Sequence, residues 1–144
     1  MIANSKIKFT PLGGVAEIGS NMMLVESEKS CILIDSGILF PYESLFDIDY
    51  LIPDMSVLDK KKVTDIIYTH GHEDHIGAVP HIIEKFPKIK IHCSSLTRKF
   101  LLKRLWSDES MPEISRFDDQ SELEFDYFVV HPIHVNHSIP QTFG

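Results

Sequence analysis

The chain has 144 residues, of which 43% are hydrophobic and 24% charged, as expected for one globular domain and not for a disordered segment. Its formal net charge is −7, and it carries no dense lysine and arginine patch of the kind that binds nucleic acid. This charge balance argues against tight binding of a nucleic-acid backbone by this segment alone. It does not exclude a substrate phosphate that is drawn to a metal.

The sequence shows no sign of membrane insertion or secretion. No run approaches the ~20 apolar residues of a membrane helix, and the first residues, MIANSKIKF, lack the apolar core of a signal peptide. Cys31 and Cys93 lie far apart in apolar runs, without the spacing of a zinc-binding pair. We interpret them as buried free thiols and expect a cytoplasmic protein that does not contact a membrane.

Three strands are predicted in the first part of the chain. KIKFTPLGG forms a strand that enters a glycine turn. NMMLVES and SCILIDSG form two more strands, joined by a polar turn at 27–30. The following segment, 38–62, is predicted to be irregular because prolines interrupt it.

Strands and helices alternate after residue 63. VTDIIYTH is predicted as a buried strand, and IGAVPHIIEKF has apolar residues at helical spacing, with Pro80 in its first turn. KIKIHCS is a further strand, LTRKFLLKRLW an amphipathic helix and LEFDYFVVHPIHVNH a final strand. The alternation predicts an α/β fold, and the strands before it indicate a mixed sheet.

Four potential metal ligands fall within six residues at the end of a predicted strand: His70, His72, Asp74 and His75. Gly71 is predicted to allow a sharp turn between two of the histidines. Imidazole and carboxylate groups suit zinc, manganese or iron. The spacing lets His70 and His72 reach one metal, while Asp74 and His75 point toward a second.

A simpler interpretation makes Asp74 the N-cap of the next helix and leaves the histidines as exposed loop residues. A lone pair of histidines would favour that interpretation. Three histidines and an aspartate at one strand end favour a metal site.

The motifs carry a family resemblance. THGHEDH resembles the H-x-H-x-D-H signature of the metallo-β-lactamase fold, and LIDSG, with Asp35, resembles the first motif of that family. PLGGVAEIGSNMMLVE, FDIDYLIPDMSVL, GHEDHIGAVPHI and HVNHSIP are similar to the N-terminal part of ribonuclease J, in the β-CASP branch of the fold. The resemblance covers nearly the whole chain, and Ala16 departs from it at a position where we expect glycine.

The resemblance implies a fold and its extent. The fold is α/β, a metallo-β-lactamase-like αββα sandwich. Residues 1–144 would form approximately its N-terminal half, a partial domain that stops before the β-CASP region.

The resemblance also implies the roles of individual residues. The first metal has three histidine ligands and the second an aspartate and a histidine: His70, His72 and His137, then Asp74 and His75. Asp74 is also the implied catalytic residue. Asp35 would steady the histidine loop, and Ser138 would support His137, which follows a predicted strand and precedes a loop fixed by proline.

The remaining histidines are predicted to be structural. His131 and His134 lie three residues apart in one predicted strand and therefore on alternate faces. His81 and His92 are interpreted as ordinary helix and strand residues. GGVAEIG lacks the pattern of a phosphate-binding loop, so we predict a turn between strands with glycines at positive φ, the alternative being a role in shaping the cleft floor.

The implied activity is metal-dependent hydrolysis of RNA phosphodiesters, as a 5′–3′ exonuclease, an endonuclease or both. The full-length parent would bind two zinc ions, or manganese, and RNA. In the resembled family a bridging carboxylate, a last metal-binding histidine and a general-acid histidine come after NHSIP, and none is found here. The simplest account is a fragment of a longer protein, and the alternative is a short protein that has lost catalysis. In either case we expect the 144-residue chain to be inactive by itself.

An uncovered apolar sheet face and unpaired strand edges, YFVVHPIHV in particular, predict a dimer or larger species. Two other functions remain open. One is a hydrolase of the same fold that acts on a thioester or lactone, although FDIDYLIPD and NHSIP favour the ribonuclease branch. The other is a non-enzymatic half-domain that binds one zinc ion or only a partner, and activity of the chain alone would separate the two.

Overall fold

The computed structural model describes residues 6–41, 47–105 and 112–144. Eight strands lie in these ranges: β1 (Lys8–Gly13), β2 (Met22–Glu26), β3 (Cys31–Ile34), β4 (Asp65–Tyr68), β5 (Lys90–Cys93), β6 (Ile114–Arg116), β7 (Leu123–Phe125) and β8 (Phe128–Val130). The helices are α1 (Glu73–Ile76), α2 (Val79–Lys85) and α3 (Ser95–Arg104), with a 3₁₀ turn at Ser56–Leu58. Trp106, the last residue of the predicted amphipathic helix, lies outside the described residues.

Six strands form one mixed sheet in the order β1-β2-β3-β4-β5-β6. The pairs β1–β2 and β2–β3 are antiparallel, whereas β3–β4, β4–β5 and β5–β6 are parallel. The parallel half coincides with the part of the chain where helices separate the strands, as crossover connections require. The predicted α/β class with a mixed sheet is confirmed.

Both faces of the sheet are buried, which explains why its central strands are continuous apolar runs. Successive side chains point to opposite faces, so Leu33 packs in one cluster and Ile32 in the other. The helices cover the first face with Ile76, Val79, Ile82 and Leu101. The antiparallel pair β7–β8 lies in the second cluster through Leu123, Phe125, Phe128 and Val130.

The helix predicted over IGAVPHIIEKF is present as α2 but begins later than predicted, because Ile76 belongs to α1 and a helix break separates α1 from α2. Ala78 at this break has ψ near 9°, and its N–H donates to Ser36 O at 2.8 Å. This hydrogen bond to the segment just after β3 takes the place of a helical hydrogen bond and fixes the backbone between α1 and α2 next to the sheet. Pro80 lies in the first turn of α2, as predicted.

The single strand predicted over LEFDYFVVHPIHVNH is also wrong, because the segment forms the hairpin β7–β8 followed by a loop. The turn is at 126–127, where the Asp126 N–H donates to Ser30 Oγ at 3.1 Å. His131 and His134 therefore lie outside the strands, contrary to prediction. The short strand β6 was not predicted, since its three residues form no extended apolar pattern.

The glycine turn between β1 and β2 has the backbone that was predicted, with Gly14 at φ +75° and Gly19 at φ +106°. Ala16, where glycine was expected, also has a positive φ of 60°. This conformation costs an alanine about 1–2 kcal/mol, which explains the expectation of glycine. No helix in the described parts of the chain is long and apolar enough to cross a membrane.

Candidate metal centre

The site begins where the parallel neighbours β3 and β4 end at the same edge of the sheet. Asp35 follows β3, is 5% exposed and has a φ of 59°. Its Oδ1 accepts the Thr69 N–H and its Oδ2 accepts the Thr69 hydroxyl, each at 2.8 Å. These bonds join the two strand ends and fix the residue that precedes the histidine loop.

The same two residues set the orientation of His70 and His75. Thr69 Oγ1 lies 3.0 Å from His70 Nδ1, and its hydrogen already goes to Asp35, so it accepts the Nδ1–H of His70. His75 Nδ1 lies 2.8 Å from Asp35 Oδ2 and donates to it. In its neutral form each imidazole is therefore left with a lone pair on Nε2 that is available to a metal.

Three imidazole nitrogens converge beside this framework. His72 Nδ1 lies 3.0 Å from His70 Nε2 and 3.1 Å from His137 Nε2. All three atoms lie within 4.8 Å of one another, with His70 buried and His137 exposed. In residues 6–41, 47–105 and 112–144, this is the one group of three or more such side chains close enough to hold a metal.

The geometry of the three nitrogens fits a zinc-sized cation. Two nitrogens that each lie about 2.0–2.1 Å from a tetrahedral zinc are separated by about 3.3 Å, close to the distances found here. An imidazole nitrogen carries either one hydrogen or one in-plane lone pair. His72 Nδ1 thus cannot form a well-directed hydrogen bond with both neighbours, whereas a cation accepts all three lone pairs.

Asp74 and His75 lie on α1, next to the three histidines. Asp74 Oδ2 is 3.5 Å from His75 Nε2, and the rings of His70 and His75 have centroids 4.0 Å apart. The N-cap residue of α1 is His72 and not Asp74, so the simpler interpretation of Asp74 as a helix cap is wrong. The Asp74 carboxylate is instead free to face the site and is partly exposed there.

The pKa values of His70 and His75 are shifted in opposite directions. Burial, followed by the neighbouring histidines, lowers the pKa of His70 from 6.5 to about 4. Burial also lowers the pKa of His75, but the hydrogen bond and charge of Asp35 outweigh it and the net pKa is raised. His70 thus stays neutral, and able to bind a metal, at pH values where His75 is protonated.

His137 lies on a loop that is closed by backbone pairing. Ile133 and Gly144 exchange two hydrogen bonds of 2.9 and 2.8 Å, and the Phe143 N–H donates to Thr69 O at 3.1 Å. The Gln141 side chain accepts the Leu96 N–H at the start of α3 at 2.7 Å. The loop is thereby attached to β4 and to α3, which brings His137 to His72, 65 positions away in sequence.

Helix α3 packs against the histidine loop. Gly71 lies in a bend of the backbone, as predicted, but its φ is not positive, so the bend itself does not require glycine. A Cβ at this position would lie 2.5 Å from Phe100 Cδ2, so the glycine permits close contact with α3. Arg104, at the end of α3, pairs with Glu73 at the start of α1.

The other residues singled out in the sequence lie away from the three nitrogens. His81 is bonded to the Tyr50 hydroxyl, and His92 Nε2 lies 2.7 Å from Asp65. His131 faces Glu122 on the surface at 3.7 Å, and His134 contacts the ring of Phe143 edge to face. Ser138 is exposed, and within the described residues no hydrogen bond joins its side chain to the histidines.

Sequence reasoning missed two residues of the site, Thr69 and Asn21. Thr69 directly precedes the first histidine, and that adjacency is the one signal that could have identified it. Asn21 is distant in sequence, but its amide reaches both Asp74 and His75. A surface pocket of 390 Å³ opens beside these residues, lined by Ile18, Gly19, Ile38, Leu39, Phe40, Glu73 and Asp74.

Known proteins of the same kind were found by sequence. The model of the family described as "Metallo-beta-lactamase superfamily" matches residues 15–140, and the chain belongs to this superfamily. Within it, the chain is 39% identical to a ribonuclease J of Helicobacter pylori (strain ATCC 700392 / 26695) in an alignment of 147 positions that covers 96% of this chain. A ribonuclease J of Mycoplasma genitalium is 35% identical over 99% of this chain. The predicted resemblance to ribonuclease J is confirmed.

The chain spans 21% and 26% of the lengths of these two relatives.

Solved structures show the same fold. A diphosphatase of the PhnP family matches with a TM-score of 0.68 at 19% identity, over 96% of this chain and 61% of that one. The metallo-beta-lactamase fold protein YhfI from Bacillus subtilis matches with a TM-score of 0.67 at 14% identity, over 96% and 56%. The predicted fold family is therefore confirmed.

Proposed function

We propose that this chain is the metal-binding N-terminal segment of a metal-dependent RNA hydrolase of the ribonuclease J type. The observation that carries the proposal is the convergence of three imidazole nitrogens, next to Asp74 and His75, in a chain closely similar to ribonuclease J proteins. The substrate would be RNA, cleaved as a 5′–3′ exonuclease, an endonuclease or both.

In this proposal the ligands are divided between two positions: His70, His72 and His137 hold the first metal, and Asp74 and His75 contribute to the second. Zinc, or manganese in its place, would act as a Lewis acid that makes water a nucleophile near neutral pH. Thr69 and Asp35 accept the Nδ1–H of His70 and His75, so the lone pair of each neutral ring lies on Nε2. Asp74 is the proposed catalytic residue because it lines the 390 Å³ pocket, where its partly exposed carboxylate would accept a hydrogen bond from water.

The 144 residues would form part of a metallo-β-lactamase domain, and the RNA-clamping β-CASP region would belong to the remainder of the longer protein. Support comes from the 21–26% of its relatives' length that the chain spans. With two ligands for the second metal and a net charge of −7, the isolated chain is expected to hydrolyse RNA very weakly. The two free cysteines, Cys31 and Cys93, fit a cytoplasmic location.

Metal content and RNA decay test the proposal together. The dialysed chain should retain about one zinc per molecule, measured by plasma emission, because three nitrogen ligands suffice for one tight site. His70→Ala should abolish this binding, and His131→Ala should not, since His131 lies away from the site. Two tightly held zinc ions, or equal losses in both variants, would contradict the ligand assignment.

The activity is measured as decay of a 5′-monophosphorylated, fluorescently labelled RNA. A chain extended to the length of its relatives should degrade it with metal present, and His70→Ala in that longer chain should remove the activity. No decay by the extended chain would refute the proposed substrate. Fast, metal-dependent decay by the 144-residue chain would refute its expected inactivity.

A second candidate is a non-enzymatic module that binds a single zinc. It is favoured by the fact that one group of three ligands, and not two, is found in the described residues. This candidate predicts that the extended chain also binds one metal and leaves the RNA intact.

A further inference from the structure

The side chain of Asn21 lies at the place where Asp74 and His75 meet. Its Nδ2 is 3.0 Å from Asp74 O, 3.2 Å from Asp74 Oδ2 and 3.2 Å from His75 Nε2. Because His75 Nδ1 donates to Asp35, the lone pair of His75 Nε2 accepts from Asn21. The amide has two hydrogens for these three acceptors, so it shares them between the Asp74 carbonyl and the two side-chain atoms assigned to the second metal.

The backbone holds Asn21 in this place. Its N–H donates to Asp74 O at 3.0 Å, and its carbonyl accepts the Gly37 N–H at 2.8 Å. A Cβ on Gly14 would lie 2.4 Å from Asn21 Oδ1, and a Cβ on Gly37 would lie 1.6 Å from Asp74 O. The glycine turn that precedes β2 therefore leaves the room that the amide needs.

We propose that Asn21 is a positioning residue for the second metal position, an inference that rests on the proposed metal ligands. The amide holds the Asp74 carboxylate toward His75. In the metal-free protein it also covers the Nε2 lone pair of His75, and this contact is given up when a metal takes that lone pair. The glycine turn thus contributes to the metal centre by placing one amide.

Two substitutions separate positioning from a merely structural role. Asn21→Ala removes the amide and should weaken the second position about 10–100-fold, the usual effect of losing a residue that orients a metal ligand. Asn21→Asp keeps the shape but places a carboxylate against Asp74. It should destabilise the metal-free protein, and manganese should restore its stability because the new oxygen is itself a suitable ligand. A structural role predicts that both variants lose stability and that manganese restores neither.

The matched control is Glu17→Gln. Glu17 belongs to the same turn and accepts the Gly14 N–H at 3.3 Å, but it is exposed and contacts neither Asp74 nor His75. It should bind metal as the unchanged chain does.

The experiment loads the 144-residue chain with one equivalent of zinc and then titrates manganese, which is followed by the loss of its free-ion paramagnetic resonance signal. Thermal unfolding of each variant is recorded with and without manganese. In the metal-free protein, a long-range ¹H–¹⁵N spectrum reads the His75 ring, and Asn21→Ala should shift the Nε2 signal because its hydrogen bond is lost.

The outcomes distinguish the two proposals. Failure of the first zinc to bind would overturn the proposed function. Normal zinc binding with equal manganese affinity in Asn21→Ala and the unchanged chain would overturn the role of Asn21 alone. Absence of manganese binding to the zinc-loaded unchanged chain would also overturn the role of Asn21.

Discussion

At the scale of single residues, one buried carboxylate organises both halves of the site. Asp35 receives hydrogen bonds from Thr69 and His75, and Thr69 in turn receives one from His70. A metal-binding histidine usually donates its other ring nitrogen to such a partner, which fixes the tautomer and the ring plane. Thr69 is thus the link through which Asp35 acts on the three-histidine group.

Removal of the Thr69 hydroxyl should therefore weaken zinc binding. Thr69→Val keeps the shape but leaves His70 Nδ1 and Asp35 Oδ2 without this partner, so we expect about a 10–100-fold loss of zinc affinity. Thr69→Ser retains the hydroxyl and should bind within a few-fold of the unchanged chain. Competition with a zinc chelator measures all three proteins, and an unaffected Thr69→Val would show that His70 is oriented without this bond.

His70 also links the stability of the metal-free protein to pH. Its pKa is lowered from 6.5 to about 4, so between these values the unfolded chain binds a proton that the folded chain does not. The stabilisation is complete above the unfolded pKa and is lost as the pH falls toward the folded one. Its size is at most on the order of 3 kcal/mol.

Urea unfolding of metal-free protein at several pH values across this range measures the effect. His70→Gln cannot titrate at this position, so its stability should fall less steeply on acidification. His75, whose pKa is raised, contributes in the opposite direction in both proteins. Parallel curves for the two proteins would show that His70 is protonated normally in the folded state.

At the scale of elements, the sequence predicted the strands and helices well where a pattern was local and long. The strands β2 to β5 are continuous apolar runs, and four ligand-type residues within six positions indicated the site. The break before α2 depends on a bond from Ala78 to Ser36, and the turn at Asp126 on a bond to Ser30. Such long-range bonds leave no periodic signal in a single sequence.

The same limit applies to the site. The convergence of His137 on His72 depends on the attachment of its loop to β4 and α3, so the residues alone did not fix it and the family resemblance supplied it. Asn21 and Thr69 were not identified because asparagine and threonine are common in turns and strand ends. The close contact of Gly71 with α3 was not predicted because its neighbour, Phe100, is distant in sequence.

The contact between the histidine loop and α3 predicts the effect of Gly71→Ala. The added Cβ would lie 2.5 Å from Phe100 Cδ2, so the loop or the helix must move. We expect a loss of about 1–3 kcal/mol in the free energy of unfolding, as for other overpacked positions. Phe100→Leu in the same chain should recover part of this loss, with Phe100→Leu alone as the control. An unchanged free energy of unfolding in Gly71→Ala would contradict the close contact between Gly71 and Phe100.

At the scale of the whole molecule, the predicted uncovered sheet face is partly covered. Phe128 and Val130 pack in the second core cluster with Val25, Ile32 and Ile67. What remains is the outer side of the hairpin and the loop after it, where Val129 is 46% exposed, Ile133 65% and Val135 40%. Among the described residues β8 pairs with β7 alone, which leaves its other edge next to these side chains.

This surface is where we expect copies of the chain to associate. An exposed apolar strand with a free edge favours pairing with another copy, since pairing satisfies its backbone groups and buries its side chains. We expect a dimer or larger species at micromolar concentration in sedimentation velocity. Val129→Lys combined with Ile133→Lys should shift the distribution to monomer, because two buried positive charges in each copy would repel. Val57→Lys is the matched control, since Val57 has the same 46% exposure but lies on the 3₁₀ turn. A monomeric unchanged chain would refute the prediction, and equal effects of the double variant and the control would assign association to another surface.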